Sequence, residues 1–325
     1  MAAKKSAFGK KKVFCLGELL LDIFAEEITT NYSKVKRFLP FLGGGSANVA
    51  ACLARQGVDS AFISLVGSDP IGDMLIAKLK ENGVDTSYIK RTEKYFSGLV
   101  FVSRDKRRER YFLPVPDKPS CLLFNERDIT PAFLSHAVYL HFGSSNLVNI
   151  SARRATMTIL KECKRRNILV SFDLNLRPGN WKMGKIDRRP ILEAMKYADI
   201  LKANENELLF IADGSDRHRA AMKIAKNIPL VFISLGERGA EAYCGGRWVA
   251  VPSVKVRVED TTGAGDAFCA GYLAAFYRMG LDASALRKET FSERQMKLVL
   301  KEAVRLGGAV VRKLGAVTAC PVDKE

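Results

Sequence analysis

The chain has 325 residues, 47% of them hydrophobic and 27% charged, the balance of an ordinary globular protein with room for one large α/β domain, or one domain plus a small appendage. No apolar run approaches the ~20 residues of a membrane helix, and the opening MAAKKSAFGKKK has five lysines with no apolar stretch behind them, so it reads as a frayed basic tail and not as a secretory signal. The net charge of +17 favours acidic partners, yet the basic residues are scattered through helical segments such as ARRATMTILKECKRR; this fits a solvated surface that attracts small anions and disfavours nucleic acid.

In chain order, KVFCLG (12–17) predicts a strand. SANVAACLARQG (46–57) predicts a helix with a serine cap and a closing glycine. A strand follows at 60–67 and a helix at 70–83, ended by Gly83. Further along come the strand AVYLHFG, a basic helix at 151–166, NILVSFDLN, a helix near 188–198, DILKANENE, a helix near 215–226, and PLVFISLG. This alternation implies an α/β fold with a mostly parallel central sheet covered by helices on both faces. Two stretches break it, IFAEEITTNYSKVKRFLPFL and YFSGLVFVSRDKRRERYFLPV, and the second alternates and turns at SRDKRRER as a hairpin would. The expected division is an α/β body of residues 12–22, 43–94 and 117–321, with a small β lid of residues 23–42 and 95–116 near the carboxyl edge of the sheet, where open α/β sheets bind ligands. Exposed strand edges on that lid make a homodimer plausible.

The cysteines at 15, 52, 121, 163, 244, 269 and 320 form no C-x-x-C pair. They read as reduced core residues of a cytoplasmic protein. With three histidines in all, a zinc site is disfavoured, and His141 reads as a packed or hydrogen-bonded core residue.

VEDTTGAGDAFCAGYLAAF (258–276) carries the chemistry. Gly263 and Gly265 permit a tight turn whose N–H groups point one way, and a helix starting at Ala264 or Gly265 aims its free amides and positive end at the same point. Asp266, in the first turn, is positioned to take a proton from a hydroxyl attacking a phosphate there. Ala267, Ala270, Gly271 and Ala274 let the helix pack closely.

DTTGAGDAFCAGYLAAF resembles the carboxyl-terminal signature of the ribokinase-like (PfkB) carbohydrate kinases, and GGGSANVAACLARQG (43–57) resembles their amino-terminal signature. The resemblance spans residues 12 to 321. It implies an ATP-dependent sugar kinase with magnesium and, in many members, potassium. Asp266 would be the catalytic base, and Gly263, Ala264 and Gly265 the anion hole. Asp260 and Thr262 would bind the monovalent cation. In KANENE, Asn204 and Glu207 would organise the magnesium-water shell; Ser234, Gly236 and Gly239 of SLGERG, with Lys202, would contact the nucleotide. Residues 303–316 would flank adenine, and Asp22, Gly44 and Asn48 would bind sugar hydroxyls. Each has a plainer reading, since Asn204 and Glu207 also fit an ordinary helix cap, and Asp22 a strand end.

SFDLNLRPGNW (171–181) resembles a stretch of bacterial fructokinases and 2-keto-3-deoxygluconate kinases. Its Arg177 would touch substrate or nucleotide, or pin its own loop by a salt bridge. Gly45 stands where ribokinases carry lysine. Sugar-acid kinases use a further arginine after the lid strand; there this chain reads RYFLPVPDKPS, with prolines at the sought position. A neutral sugar, fructose first, is therefore expected, ahead of the keto-deoxy acid or a catalytically silent homologue. A dinucleotide site fails because Asn48 replaces the third glycine. No P-loop or protein-kinase motif set occurs.

Overall fold

Val13 and Cys15 point to one side of the first strand and Phe14 and Leu16 to the other, and all four are buried. A strand buried on both faces needs helices on both sides of its sheet. That is the arrangement in the structure, a computed structural model describing residues 8–106, 110–116, 118–129, 131–288 and 291–323. The first seven residues of the basic tail and the hairpin tip at 107–109 lie outside the described residues.

The chain opens with β1 (Lys12–Leu16), β2 (Leu20–Ala25), β3 (Phe38–Gly43), α1 (Gly45–Arg55), β4 (Ser60–Gly67), α2 (Pro70–Glu81) and β5 (Ile89–Thr92). The hairpin of β6 (Gly98–Arg104) and β7 (Arg110–Val115) precedes α3 (Phe133–His136), β8 (Ala137–Gly143), α4 (Ile150–Arg165), β9 (Leu169–Asp173) and α5 (Arg188–Met195). There follow β10 (Ile200–Asn204), α6 (Glu205–Ala212), α7 (Arg217–Ala225), β11 (Leu230–Ser234), β12 (Ala240–Cys244) and β13 (Arg247–Val251), and then α8 (Ala264–Met279), α9 (Ala283–Arg287) and α10 (Glu293–Val310).

Among the described residues the main sheet has nine strands in the order β13-β12-β11-β10-β9-β8-β1-β4-β5, parallel except at β12 and β13. One face is covered by α1, α2, α8 and α10, whose Ala50, Leu75, Tyr272 and Leu300 join one core. The other is covered by α4 to α7, through residues such as Leu160, Ile191, Leu208 and Ile224. Gly271 brings α8 and α10 into backbone contact, since a Cβ there would lie 2.7 Å from Ala303 Cα. All seven cysteines are free and buried, and His141 is 1% exposed with Nδ1 3.0 Å from Ser171 Oγ.

A second sheet, in the order β3-β2-β6-β7, stands apart as the lid. Its strands begin earlier and end later than expected, because β2 and β3 pair from Leu20↔Gly43 to Ala25↔Phe38. Asp22 is therefore a lid-strand residue. The helix expected at 46–57 starts at Gly45 without a side-chain cap. Ser46 lies inside its first turn, against Gly17, because Gly44 makes the bend instead. Asp69 and Asn149 cap α2 and α4. The helix α6 starts directly at the end of β10, with Asn204 as its cap.

Candidate active site

Gly263 precedes α8 in the left-handed region, at φ +77°. A Cβ there would lie 2.4 Å from the Ala316 Cβ, so only glycine fits. The Ala264 N–H turns back to Thr261 O at 3.3 Å. The N–H groups of Gly263, Gly265 and Asp266 have no acceptor among the described residues. Three unpaired amides at the positive end of a 16-residue helix make a candidate anion site. Of the expected trio, Gly263 and Gly265 keep free amides, the Ala264 amide is engaged in the turn, and the Asp266 amide joins them.

The Asp266 carboxylate is 9% exposed. Its Oδ2 accepts from Asn48 Nδ2 at 2.8 Å, while Oδ1 is turned towards Gly45. Burial raises its pKa, and the Asn48 hydrogen bond and the positive charges of Lys202, Arg177 and Arg110 oppose that rise. Held by one amide, the carboxylate has one oxygen committed and one available, and in its ionised form it could accept a proton there.

Asp22 reaches the same place from β2. Gly43 makes room for it, since a Cβ at 43 would lie 2.4 Å from Asp22 Cγ. Its pKa is pushed up to about 7 by burial, then by the carboxylates of Asp266, Glu18 and Asp260, against Arg110. Gly44, at φ +101°, lets the chain pass the Glu18 carbonyl, which a Cβ would meet at 2.1 Å. Glu18, missed in the sequence although it stands in GELLLD, accepts from the Gly45 N–H at 3.1 Å and from the Ser145 hydroxyl, and so pins the turn that presents Asn48.

Arg177 is exposed, its Nη1 donating only to its neighbour's carbonyl, Leu176 O, at 3.3 Å. It makes no salt bridge among the described residues, so the loop-pinning alternative is not what holds it. Its charge is felt at Asp266 and Arg110.

The residues expected on the nucleotide side divide. Lys202 is 5% exposed and paired with Asp173 at 3.1 Å. Its ammonium lies behind the anion turn, 2.9 Å from where a Gly265 Cβ would be. It therefore sits beneath that turn instead of reaching an open edge. Asn204 and Glu207 form a capping box: Glu207 N donates to Asn204 Oδ1 at 2.9 Å and Asn204 N to Glu207 Oε2 at 2.8 Å. The other Glu207 oxygen accepts from Leu176 N at 2.8 Å. The capping box of the plainer reading is present, and main-chain donors engage both Glu207 oxygens. Ser234 ends β11 half-buried; Gly236 (φ +61°) and Gly239 (φ +98°) bend the turn after it. Asp260 accepts from Thr262 N at 3.0 Å, Thr262 Oγ1 at 2.7 Å and Gly315 N at 3.2 Å, tying the loop before the anion hole to the carboxyl-terminal segment. Among the described residues no group of three or more His, Cys, Asp or Glu side chains is arranged to hold a metal ion.

Arg110 is the principal residue that sequence reasoning missed. It opens the stretch RYFLPVPDKPS, in which an arginine was sought further along. From β7 its Nη1 donates to Thr262 Oγ1 at 2.7 Å, and its charge is coupled to Asp260, Arg177, Asp266 and Asp22. Strand alternation was the available signal. The register Asp22↔Val100↔Pro114 and Phe24↔Val102↔Phe112 puts Arg110, two residues from Phe112, on the Asp22 face of the lid.

Known proteins resemble this chain over nearly its whole length. The family model described as pfkB family carbohydrate kinase matches residues 10–323. Fructokinase-1 of Zea mays is 31% identical over 321 residues, covering 98% of this chain and 97% of that protein. The crystal structure of a fructokinase with bound ATP from Xylella fastidiosa superposes with a TM-score of 0.88 at 30% identity, covering 96% of this chain and 95% of that one. A double-mutant fructokinase from Vibrio cholerae O395 in fructose-, ADP- and potassium-bound form gives a TM-score of 0.84 at 27% identity, covering 98% and 97%.

Proposed function

Because this chain belongs to the pfkB family of carbohydrate kinases, and is a phosphotransferase with a sugar hydroxyl as acceptor, we propose that it transfers the γ-phosphoryl group of ATP to fructose. The observation that carries this reading is the single turn holding both a buried carboxylate, Asp266, and the unpaired amides of Gly263, Gly265 and Asp266.

In this mechanism Asp22 and Asn48 hold sugar hydroxyls and Asp266 Oδ1 takes the proton of the attacking one. The sugar oxygen bonds to the γ-phosphorus as the bridge to ADP breaks, and the three amides stabilise the equatorial oxygens. Arg110 adds a positive charge that arrives with the lid, whose closure excludes water.

Magnesium bound with the nucleotide would neutralise phosphate charge. The acids present fit an ion held by phosphates and water, with Asn204 and Glu207 outside the water shell. Potassium at Asp260 and Thr262 fits less well, because Asp260 already accepts three protein hydrogen bonds; no step is drawn through it.

Two relatives carrying the fructokinase name at about this identity, one with bound fructose, support the choice of sugar. One observation favours a second reading, a 2-keto-3-deoxygluconate kinase: the guanidinium of Arg110 stands at the site and could pair with a carboxylate. An ADP-release screen over fructose, 2-keto-3-deoxygluconate, ribose, tagatose and adenosine separates them, fructose giving the highest kcat/KM on the first reading and the keto-deoxy acid on the second. Phe38, Tyr111, Leu113 and Val115, exposed on the outer face of the lid, support a homodimer formed there. Among the described residues no helix is long and apolar enough to cross a membrane.

A further inference from the structure

Asn175 is held at φ +35°, a conformation that costs a non-glycine residue free energy and is retained where the surroundings require it. It follows β9 in the stretch SFDLN, and its carbonyl accepts weakly from Ser144 Oγ at 3.4 Å. Its side-chain amide has no hydrogen-bond partner among the described residues. That amide lies across Gly45. A Cβ built at 45 would be 2.8 Å from Asn175 Nδ2, 3.3 Å from Asp266 Oδ1 and 3.7 Å from Glu18 Oε1. Three polar groups from separate parts of the chain thus converge on the face of Gly45, and one of them is the uncommitted oxygen of the candidate base.

We propose that Asn175 binds the acceptor hydroxyl and fixes its direction of attack. The inference rests on the sugar-kinase reading above and assigns a residue that reading left without a role. A hydroxyl oxygen has four tetrahedral directions. One is its carbon and one its proton, which points to Asp266 Oδ1. A third accepts from Asn175 Nδ2, which leaves the fourth lone pair for the phosphorus. Gly45 carries no side chain because the hydroxyl and the amide need that space. Orientation of this kind acts on the chemical step, and misplacement by about 1 Å can cost on the order of 10²-fold in rate.

The test separates this role from a backbone one. Asn175→Gly removes the amide while relieving the left-handed strain, and Gly45→Ala inserts a methyl group against it. Steady-state kinetics are measured with MgATP and whichever of D-fructose, D-tagatose or 2-keto-3-deoxygluconate the wild type turns over fastest, alongside thermal melts. The expected result is kcat lowered by about 10–100-fold in both variants, with the KM for MgATP within about threefold of wild type and Asn175→Gly melting at or above the wild-type temperature. Asn175→Gly with kcat and sugar KM within threefold of wild type overturns the inference and makes the loop's shape the whole role of Asn175. If that variant does not fold, Gly45→Ala with unchanged kcat overturns it equally. A wild type that releases no ADP with any of these sugars removes the kinase reading and this inference together; an active wild type with an unimpaired Asn175→Gly removes the inference alone.

Discussion

Asn48 Nδ2 donates to Asp266 Oδ2 at 2.8 Å across 218 positions of sequence. This one bond joins the first turn of α1 to the first turn of α8. It commits one carboxylate oxygen and leaves the other facing Gly45, so the two signature motifs act as one site.

Asp266→Asn tests the role and the strain of that carboxylate together. Loss of the base lowers kcat by about 10²–10⁴-fold. The folded pKa of Asp266 is raised by burial, so the folded state binds its proton more tightly than the unfolded chain. Its ionisation therefore destabilises the fold, increasingly as pH rises from the unfolded value towards the folded one. The variant is expected to melt at a higher temperature than wild type at pH 8, with the gain shrinking towards pH 4. Paired melts at the two pH values check the sign.

Asp22, pushed up to about 7, predicts an acid limb in kcat/KM for the sugar near neutrality. Activity should fall by about tenfold per pH unit below it, where Asp22 is protonated. Because Arg110 holds that pKa down, Arg110→Gln should move the limb to higher pH. A pH profile with a limb that stays put in this variant would contradict the coupling.

The contact from Arg110 to Thr262 links lid and anion hole. Arg110→Ala should lower kcat by about 10–10³-fold if the guanidinium meets developing phosphoryl charge. Thr262→Val, which removes the latch and the hydroxyl's own bond to Asp260 but keeps the guanidinium, should cost less, about tenfold, the scale of one or two hydrogen bonds. Equal losses in the two variants would reduce Arg110 to a latch.

At the contact of α8 with α10, Gly271→Ala introduces a methyl group 2.7 Å from Ala303 Cα and 2.8 Å from Glu302 O. Backbone cannot yield as a flexible side chain does, so overpacking of about 1–3 kcal/mol is expected. Urea unfolding should show a lower midpoint with an unchanged slope.

Much of the body of the fold was legible because its strands are continuous apolar runs and its helices amphipathic. Asn48, Asp22 and Asp266 meet as their motifs implied. What stayed hidden had physical causes. The pattern N-x-x-E at 204–207 serves a capping box and a metal shell alike, and only the partners of Glu207 distinguish them. Lys202 in sequence does not announce that Asp173, on the neighbouring strand, will hold it below Gly265. Arg110 acquires its place only once four lid strands are in register, and the proline-rich run beside it drew attention to the wrong positions. The argument for a neutral sugar from a missing arginine loses its footing there, and the relatives carry that choice instead.

The most direct test of a base and an anion hole on one turn is a single-turnover assay of wild type and Asp266→Asn, each saturated with MgATP and the preferred sugar, with binding of both ligands measured by calorimetry. The expected result is ligand binding within about threefold of wild type alongside a chemical step slowed by about 10²–10⁴-fold. A folded Asp266→Asn that binds both ligands and transfers the phosphoryl group at the wild-type rate would contradict the account.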